Sequence, residues 1–185
     1  MAFHTVLSAS IQGLHVEMVH VEADVSNGLP VFHMVGYLSS EVKEASERVR
    51  TAIRNAGIQI PARKVVVNLA PATVRKKGAS FDLPIALAVM AALGEIEGEK
   101  LERTLVIGEL GLDGRVQEVP GILPIVLEAR RAGCRPCILP IRNAPEGALV
   151  DGIRILGGRH LKEACDYLNG EVALKEEVRQ DEKMD

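Results

Sequence analysis

The residues best placed to do chemistry lie between Asn68 and Leu93, NLAPATVRKKGASFDLPIALAVMAAL. This stretch reads as the end of a buried strand, a basic loop with one glycine, and an apolar helix opened by Asp82 and Pro84. Ser80 stands two residues before Asp82, the expected N-cap. A helix N-terminus offers backbone N–H donors to an oxyanion, so the segment has the outline of a nucleophile with its stabilising donors. A serine hydroxyl is a weak nucleophile at neutral pH unless a base activates it. What the segment does therefore turns on whether Ser80 has a base.

Other chemistry-bearing residues are dispersed. Cys134 and Cys137 form a single C-x-x-C, but no second such pair and no H-x-x-x-H supplies the remaining ligands of a structural zinc site, so two partly buried free thiols are expected. Cys165 is expected to be a small core residue. The histidines His4, His15, His20, His33 and His160 show no ligand spacing, and no metal site is predicted. There is no G-x-x-x-x-G-K-[ST]; the one Gly-Gly pair, Gly157-Gly158, continues Arg-His, so this chain should not bind ATP. Arg75, Lys76 and Lys77, with Arg63 and Lys64, are the candidates for phosphate contacts. Few aromatics accompany them, so any nucleic-acid contact should be to the backbone.

The elements that must position these groups follow from periodicity. Residues 14–25 alternate, but the apolar set moves from Leu14, Val16 and Met18 to Val19, Val21, Ala23 and Val25, which predicts a bulge near Met18. Asn27-Gly28 signals a turn, and residues 16–35 are expected to form a hairpin. Ser40 to Ala56 has helical spacing with Gly57 as its stop, and its charged face, including Arg48, Arg50 and Arg54, reads as solvated surface. Further expected elements are a strand over Lys64–Leu69, a helix over Leu83–Leu93, a hairpin over 105–119 turning at Asp113-Gly114, and a helix from Pro120-Gly121 to Ala132. Short strands at 135–140 and 153–156 and helices at 144–150 and 159–168 complete an α+β domain with a mixed sheet over 1–170. Residues 171–185, of which nine are charged, read as a linker.

Composition narrows the classes. With 185 residues and 47% hydrophobic content the chain suffices for one well-buried domain, and with no Trp its core must be aliphatic. A net charge of -3 excludes tight nucleic-acid binding through the overall field. No run approaches a membrane span, no signal peptide is recognised, and three cysteines without a disulfide pattern point to the cytoplasm.

Several ordered motifs go further: LAP-x-x-x-x-K-x-G followed by FDLPIA, SNGLPVFHMVG at 26–36, KEASERVRTAIRNAG at 43–57 and GELGLDGRVQEVPG at 108–121. Together they resemble the N-terminal domain of ComM-type (YifB, magnesium-chelatase-like) AAA+ proteins, over about residues 5–168. The resemblance implies the fold of the Lon protease catalytic domain and of the second domain of ribosomal protein S5. It also implies that an ATPase module follows, that ATP and magnesium belong to that module, and that the full-length protein forms a ring driving DNA branch migration in transformation and recombination. Lon-type proteases pair a Gly-x-Ser serine with a lysine on a second helix. Gly78-Ala79-Ser80 matches the serine motif, whereas Leu123, after Gly121 and Ile122, stands at the lysine position. The resemblance thus implies a vestigial Ser80 in a non-catalytic accessory domain. The alternative is a Lon-like serine hydrolase drawing a base from Lys76 or Lys77.

Overall fold

The computed structural model describes residues 2–180. Its central element is β2 (His15–Ser26), which pairs antiparallel with β1 (Phe3–Gln12) on one side and with β4 (Lys64–Ala70) on the other. β3 (Phe32–Val35) lies beyond β4 and runs parallel to it, forming one edge. From β1 the sheet continues in parallel through β5 (Leu105–Val106), β8 (Pro136–Pro140) and β9 (Arg154–Gly158). β10 (Lys175–Glu177) closes the far edge antiparallel to β9, and β6 (Glu109–Leu110) with β7 (Val116–Gln117) forms a separate small hairpin.

Helices cover the sheet unequally. α1 (Ser40–Lys43), α2 (Ala45–Asn55), α3 (Asp82–Leu93) and α6 (Leu161–Leu168) share one core with Val6, Val19, Val21 and Val67 of the sheet. α4 (Ile122–Arg131) and α5 (Ala144–Gly147) cover the opposite face with Leu105, Cys137 and Ile155. α3 is apolar on every side because it is buried on every side, which is the reason its sequence shows no amphipathic stripe. Gly94 ends it in the left-handed conformation, φ 82°, where a Cβ would be strained.

The sheet corrects four expectations. The β1–β2 register is unbroken from Phe3↔Asp24 to Gln12↔His15, so there is no bulge at Met18. The apolar set changes parity because α4 covers the second face at that end of β2, partly burying Val16 and Met18 there while Val19 and Val21 face α3. β3 is not the hairpin partner of β2: β4, with its run of three valines, takes that place and leaves the short β3 outside it. The helix expected over Ser40–Ala56 is interrupted at Glu44. The folded body also extends past residue 170, since Leu174 is buried and Lys175–Glu177 adds a strand to β9 through backbone bonds that its charged side chains do not oppose. The rest of the expected linker beyond residue 180 lies outside the described residues. No helix among the described residues is long and apolar enough to cross a membrane.

Candidate functional site

Ser80 is half-buried in the turn that enters α3, beside a pocket of about 330 Å³. Gly78, at φ 82°, lets the chain turn there from the strand-like segment before it. The pocket draws Ser10 from β1, Glu41 from α1, Lys77 and Ser80 from the loop, and Glu109 from β6. Its framework is a buried ion pair. Asp82 is fully buried and receives Arg48 Nε at 2.8 Å, Arg48 Nη2 at 3.0 Å and the Leu110 N–H at 3.1 Å. Arg48 Nη2 also donates to the Glu41 carbonyl at 2.8 Å. One carboxylate thereby ties α2, α3 and β6 together and, through Arg48, fixes α1.

Asp82 is accordingly not the N-cap of α3 but its first residue, with Phe81 at the cap and no side-chain cap bond. A short acid near a helix start has two outlets, the local N–H groups or a distant cation, and here the cation 34 residues away takes it. Burial pushes the Asp82 carboxyl up, while the bonds from Arg48 and Leu110 pull it back. The hydrogen bond to Asp82 raises Arg48 in turn, and the bidentate geometry is that of an ionised pair.

The N–H groups at the start of α3 that the helix would offer to an oxyanion are already engaged. The Asp82 N–H donates to the Ala79 carbonyl at 3.2 Å, the Leu83 N–H to Gly108 at 3.0 Å, and the Ile85 N–H to Phe81 at 2.9 Å; Pro84 has none. Gly108 returns a bond to the Ser80 carbonyl at 2.9 Å, which fixes the serine's backbone. The Ser80 hydroxyl makes no side-chain hydrogen bond among the described residues. Leu123 is exposed on α4, outside the pocket lining.

Lys76 departs from the expectation of an exposed basic loop. Its backbone bridges to Leu38, with the Lys76 N–H on the Tyr37 carbonyl at 2.9 Å and the Ser39 N–H on the Lys76 carbonyl at 2.8 Å. In such an extended rung successive side chains alternate, so Arg75 and Lys77 point to solvent and Lys76 points in. Its ammonium is wholly buried and bonded to the Pro71 carbonyl, and loss of water pushes its pKa down. Lys76 can contact neither DNA nor Ser80's pocket; Lys77 lines that pocket. Arg63 and Lys64 are exposed at the start of β4, while Arg75 and Lys77 lie beyond its end, about 20 Å away at 3.3 Å per residue. The five candidates are thus not brought into one patch.

The remaining groups have structural roles. Cys134, Cys137 and Cys165 are free and buried; burial pushes all three thiols up, Cys165 to about 12. Among the described residues no group of three potential metal ligands forms. Gly157 and Gly158 end β9, and a Cβ on Gly157 would lie 2.5 Å from Ile141 Cδ1, so Gly157 packs closely against the Ile141 side chain. The first N–H groups of α6 are taken by Gly114 and by the His160 ring. These residues do not fit a nucleotide phosphate.

Comparison with known proteins agrees with this architecture. The family described as subunit ChlI of Mg-chelatase matches residues 21–143. The YifB protein of Salmonella typhimurium, itself uncharacterised, is 41% identical over 169 residues, 91% of this chain and 33% of its own. Competence protein ComM of Haemophilus influenzae is 36% identical over 174 residues, 94% of this chain and 34% of its own. Lon protease of Mycolicibacterium smegmatis is 28% identical over 145 residues, 74% of this chain and 18% of its own. The chain therefore spans about a third of the length of its YifB and ComM relatives. It belongs to the Mg-chelatase subunit ChlI family, as a ComM- and YifB-type member with a Lon-like, ribosomal-protein-S5-like fold.

Proposed function

We propose that this chain is a non-catalytic accessory domain of a ComM-type protein, whose other parts bind ATP and magnesium, assemble as a ring and drive DNA branch migration in the cytoplasm. The observation that carries the reading is the state of the Ser80 site. The first N–H groups of α3 are spent within the fold, and the position at which a Lon-type lysine would stand is Leu123, exposed and outside the pocket. With Leu123 in the lysine position Ser80 lacks the base of a Lon-type site, and the N–H groups of Asp82, Leu83 and Ile85 are not free to hold an oxyanion. The domain's contribution is then to organise the assembly and engage DNA weakly, through phosphate contacts at Arg63, Lys64, Arg75 and Lys77.

Binding of this chain to single-stranded and duplex DNA, titrated against salt, tests the reading. The expected dissociation constant is weaker than about 10 μM at physiological salt, within or near the non-specific range. An absence of DNA binding even at low salt would move the domain's role to protein contacts. One observation favours the hydrolase alternative: Lys77 lines the same pocket as Ser80.

A further inference from the structure

At the β3 edge of the sheet, on the face covered by α2, a groove of about 370 Å³ runs between α2, the start of β3 and residues 59–63. Arg50 and Arg54 enter it from α2 and Arg63 from the opposite wall. No acidic residue lines it. Among the described residues Arg50, Arg54 and Arg63 have no carboxylate within 4.0 Å, a lack they share with Arg75, Arg103, Arg130, Arg135 and Arg142, but of these unpaired arginines only the three in the groove line one concavity together. Arg63 holds only the Asn27 side-chain carbonyl, at 3.0 Å, and the Arg50 guanidinium stands 5.8 Å from the Phe32 ring centroid. Three exposed guanidiniums thus converge on one concavity without a counter-charge, in a chain whose net charge is -3. Such an arrangement repels itself unless an anion completes it.

We propose that this groove is a contact site for the phosphate backbone of single-stranded DNA, a proposal that rests on the DNA-engaging reading above and names its principal surface. Arg50 and Arg54 are one turn apart, about 6 Å along the helix axis, a separation on the order of that between successive phosphates of one strand. Planar guanidinium forks bind phosphate oxygens in pairs, and Arg50 is pre-oriented by the Phe32 ring. A concavity of this size takes a group the size of a nucleotide and not the body of a duplex. The competing occupant, an acidic peptide added to β3, would use the strand's outer edge, which is four residues long and preceded by Pro30, whereas the arginines stand on the α2 side.

Fluorescence anisotropy with a labelled oligothymidylate, across a salt series, tests the assignment on four forms of the chain: the parent, Arg50→Gln/Arg54→Gln/Arg63→Gln, the same three positions changed to Lys, and Arg75→Ala/Lys77→Ala. The glutamine variant is expected to bind roughly tenfold or more weakly at low salt, with the slope of log K against log salt reduced by about 2, the value for three lost contacts to a single strand. The lysine variant should keep most of that slope, and thermal melts of all four should coincide. If the parent binds and the glutamine variant binds equally well, the groove assignment fails while the DNA reading stands. If the parent binds no DNA at low salt, both fail. If oligoglutamate of matched charge displaces the DNA at equal concentration, the site is a general anion or acidic-peptide surface and the assignment to single-stranded DNA is overturned.

Discussion

Replacing Arg48 by alanine should destabilise the fold by about 3 kcal/mol at neutral pH, the lower end of what breaking a buried ion pair costs, because the Arg48 side chain is 21% exposed whereas that of Asp82 is 0% exposed. The upper limit follows from proton linkage. A carboxylate left without its cation can always escape by taking up a proton. From an ordinary pKa near 3.9, neutralisation at pH 7 costs about 4 kcal/mol, at 1.36 kcal/mol per unit. At pH 5 the same escape costs about 1.5 kcal/mol. Asp82 is already pushed up by burial, and removing Arg48 takes away the largest pull in the other direction. In the variant the folded state therefore holds its proton to higher pH than the unfolded state does, so stability falls as pH rises through the window between the two pKa values. The variant's deficit should consequently grow between pH 5 and pH 7, by up to about 2.7 kcal/mol. Urea denaturation of parent and variant at both pH values measures it. The double variant Arg48→Ala/Asp82→Asn keeps an oxygen for the Leu110 N–H without a charge, and should lose the pH dependence. A deficit of equal size at pH 5 and pH 7 would show that Arg48 contributes packing alone, and the account of Asp82 as a charged hub would fail.

Three further expectations concern single groups. Lys76 has its pKa depressed by burial, so below its ordinary value near 10.5 the unfolded chain binds the proton more tightly and stability gains as pH rises toward that value; the buried thiols act in the opposite sense, so the readout is the difference between parent and Lys76→Met, which should lack this gain, and parallel stability–pH curves would refute it. Ser8 Oγ is buried on β1 with no hydrogen-bond partner among the described residues, and Ser8→Ala should be neutral or stabilising by up to about 1 kcal/mol in chemical denaturation, a clear loss counting against the assignment. Titration calorimetry with ATP and magnesium should be flat, since the sequence holds no G-x-x-x-x-G-K-[ST] phosphate loop; saturable binding below about 100 μM would contradict this.

What could be seen in the sequence was what depends on local period and turn chemistry. The all-buried α3, the valine run of β4 and the helix after Gly121 each stand within a residue or two of where their patterns put them, whereas the hairpin expected over 105–119 shrinks to Glu109–Leu110 and Val116–Gln117 because Leu105–Val106 is taken into the main sheet between β1 and β8. What was hidden depends on partners distant in the chain. The parity change in β2 looks like a bulge until α4 is known to lie on its second face. The charged Lys175–Glu177 resembles a linker because a strand held by backbone bonds at a sheet edge needs no apolar side chains. In the site, the Gly78–Ser80 segment was evident, but the capture of Asp82 by Arg48 and the convergence of Arg50, Arg54 and Arg63 were not, since the α2 charges are indistinguishable from a solvated face until the opposite wall is in place. Lys76 was misplaced for a related reason: nothing in Arg75-Lys76-Lys77 announces that the middle residue belongs to an extended rung against Leu38.

The most direct test of the central claim is the reactivity of Ser80. The chain is incubated with a serine-reactive fluorophosphonate and, separately, with unfolded casein, alongside Ser80→Ala and Leu123→Lys. No labelling and no turnover by the parent are expected, and none restored by Leu123→Lys, because position 123 is exposed on α4 outside the Ser80 pocket and a lysine there would be neither desolvated nor oriented. Labelling or casein cleavage by the parent that disappears in Ser80→Ala would contradict the non-catalytic reading and point to Lys77 as the base.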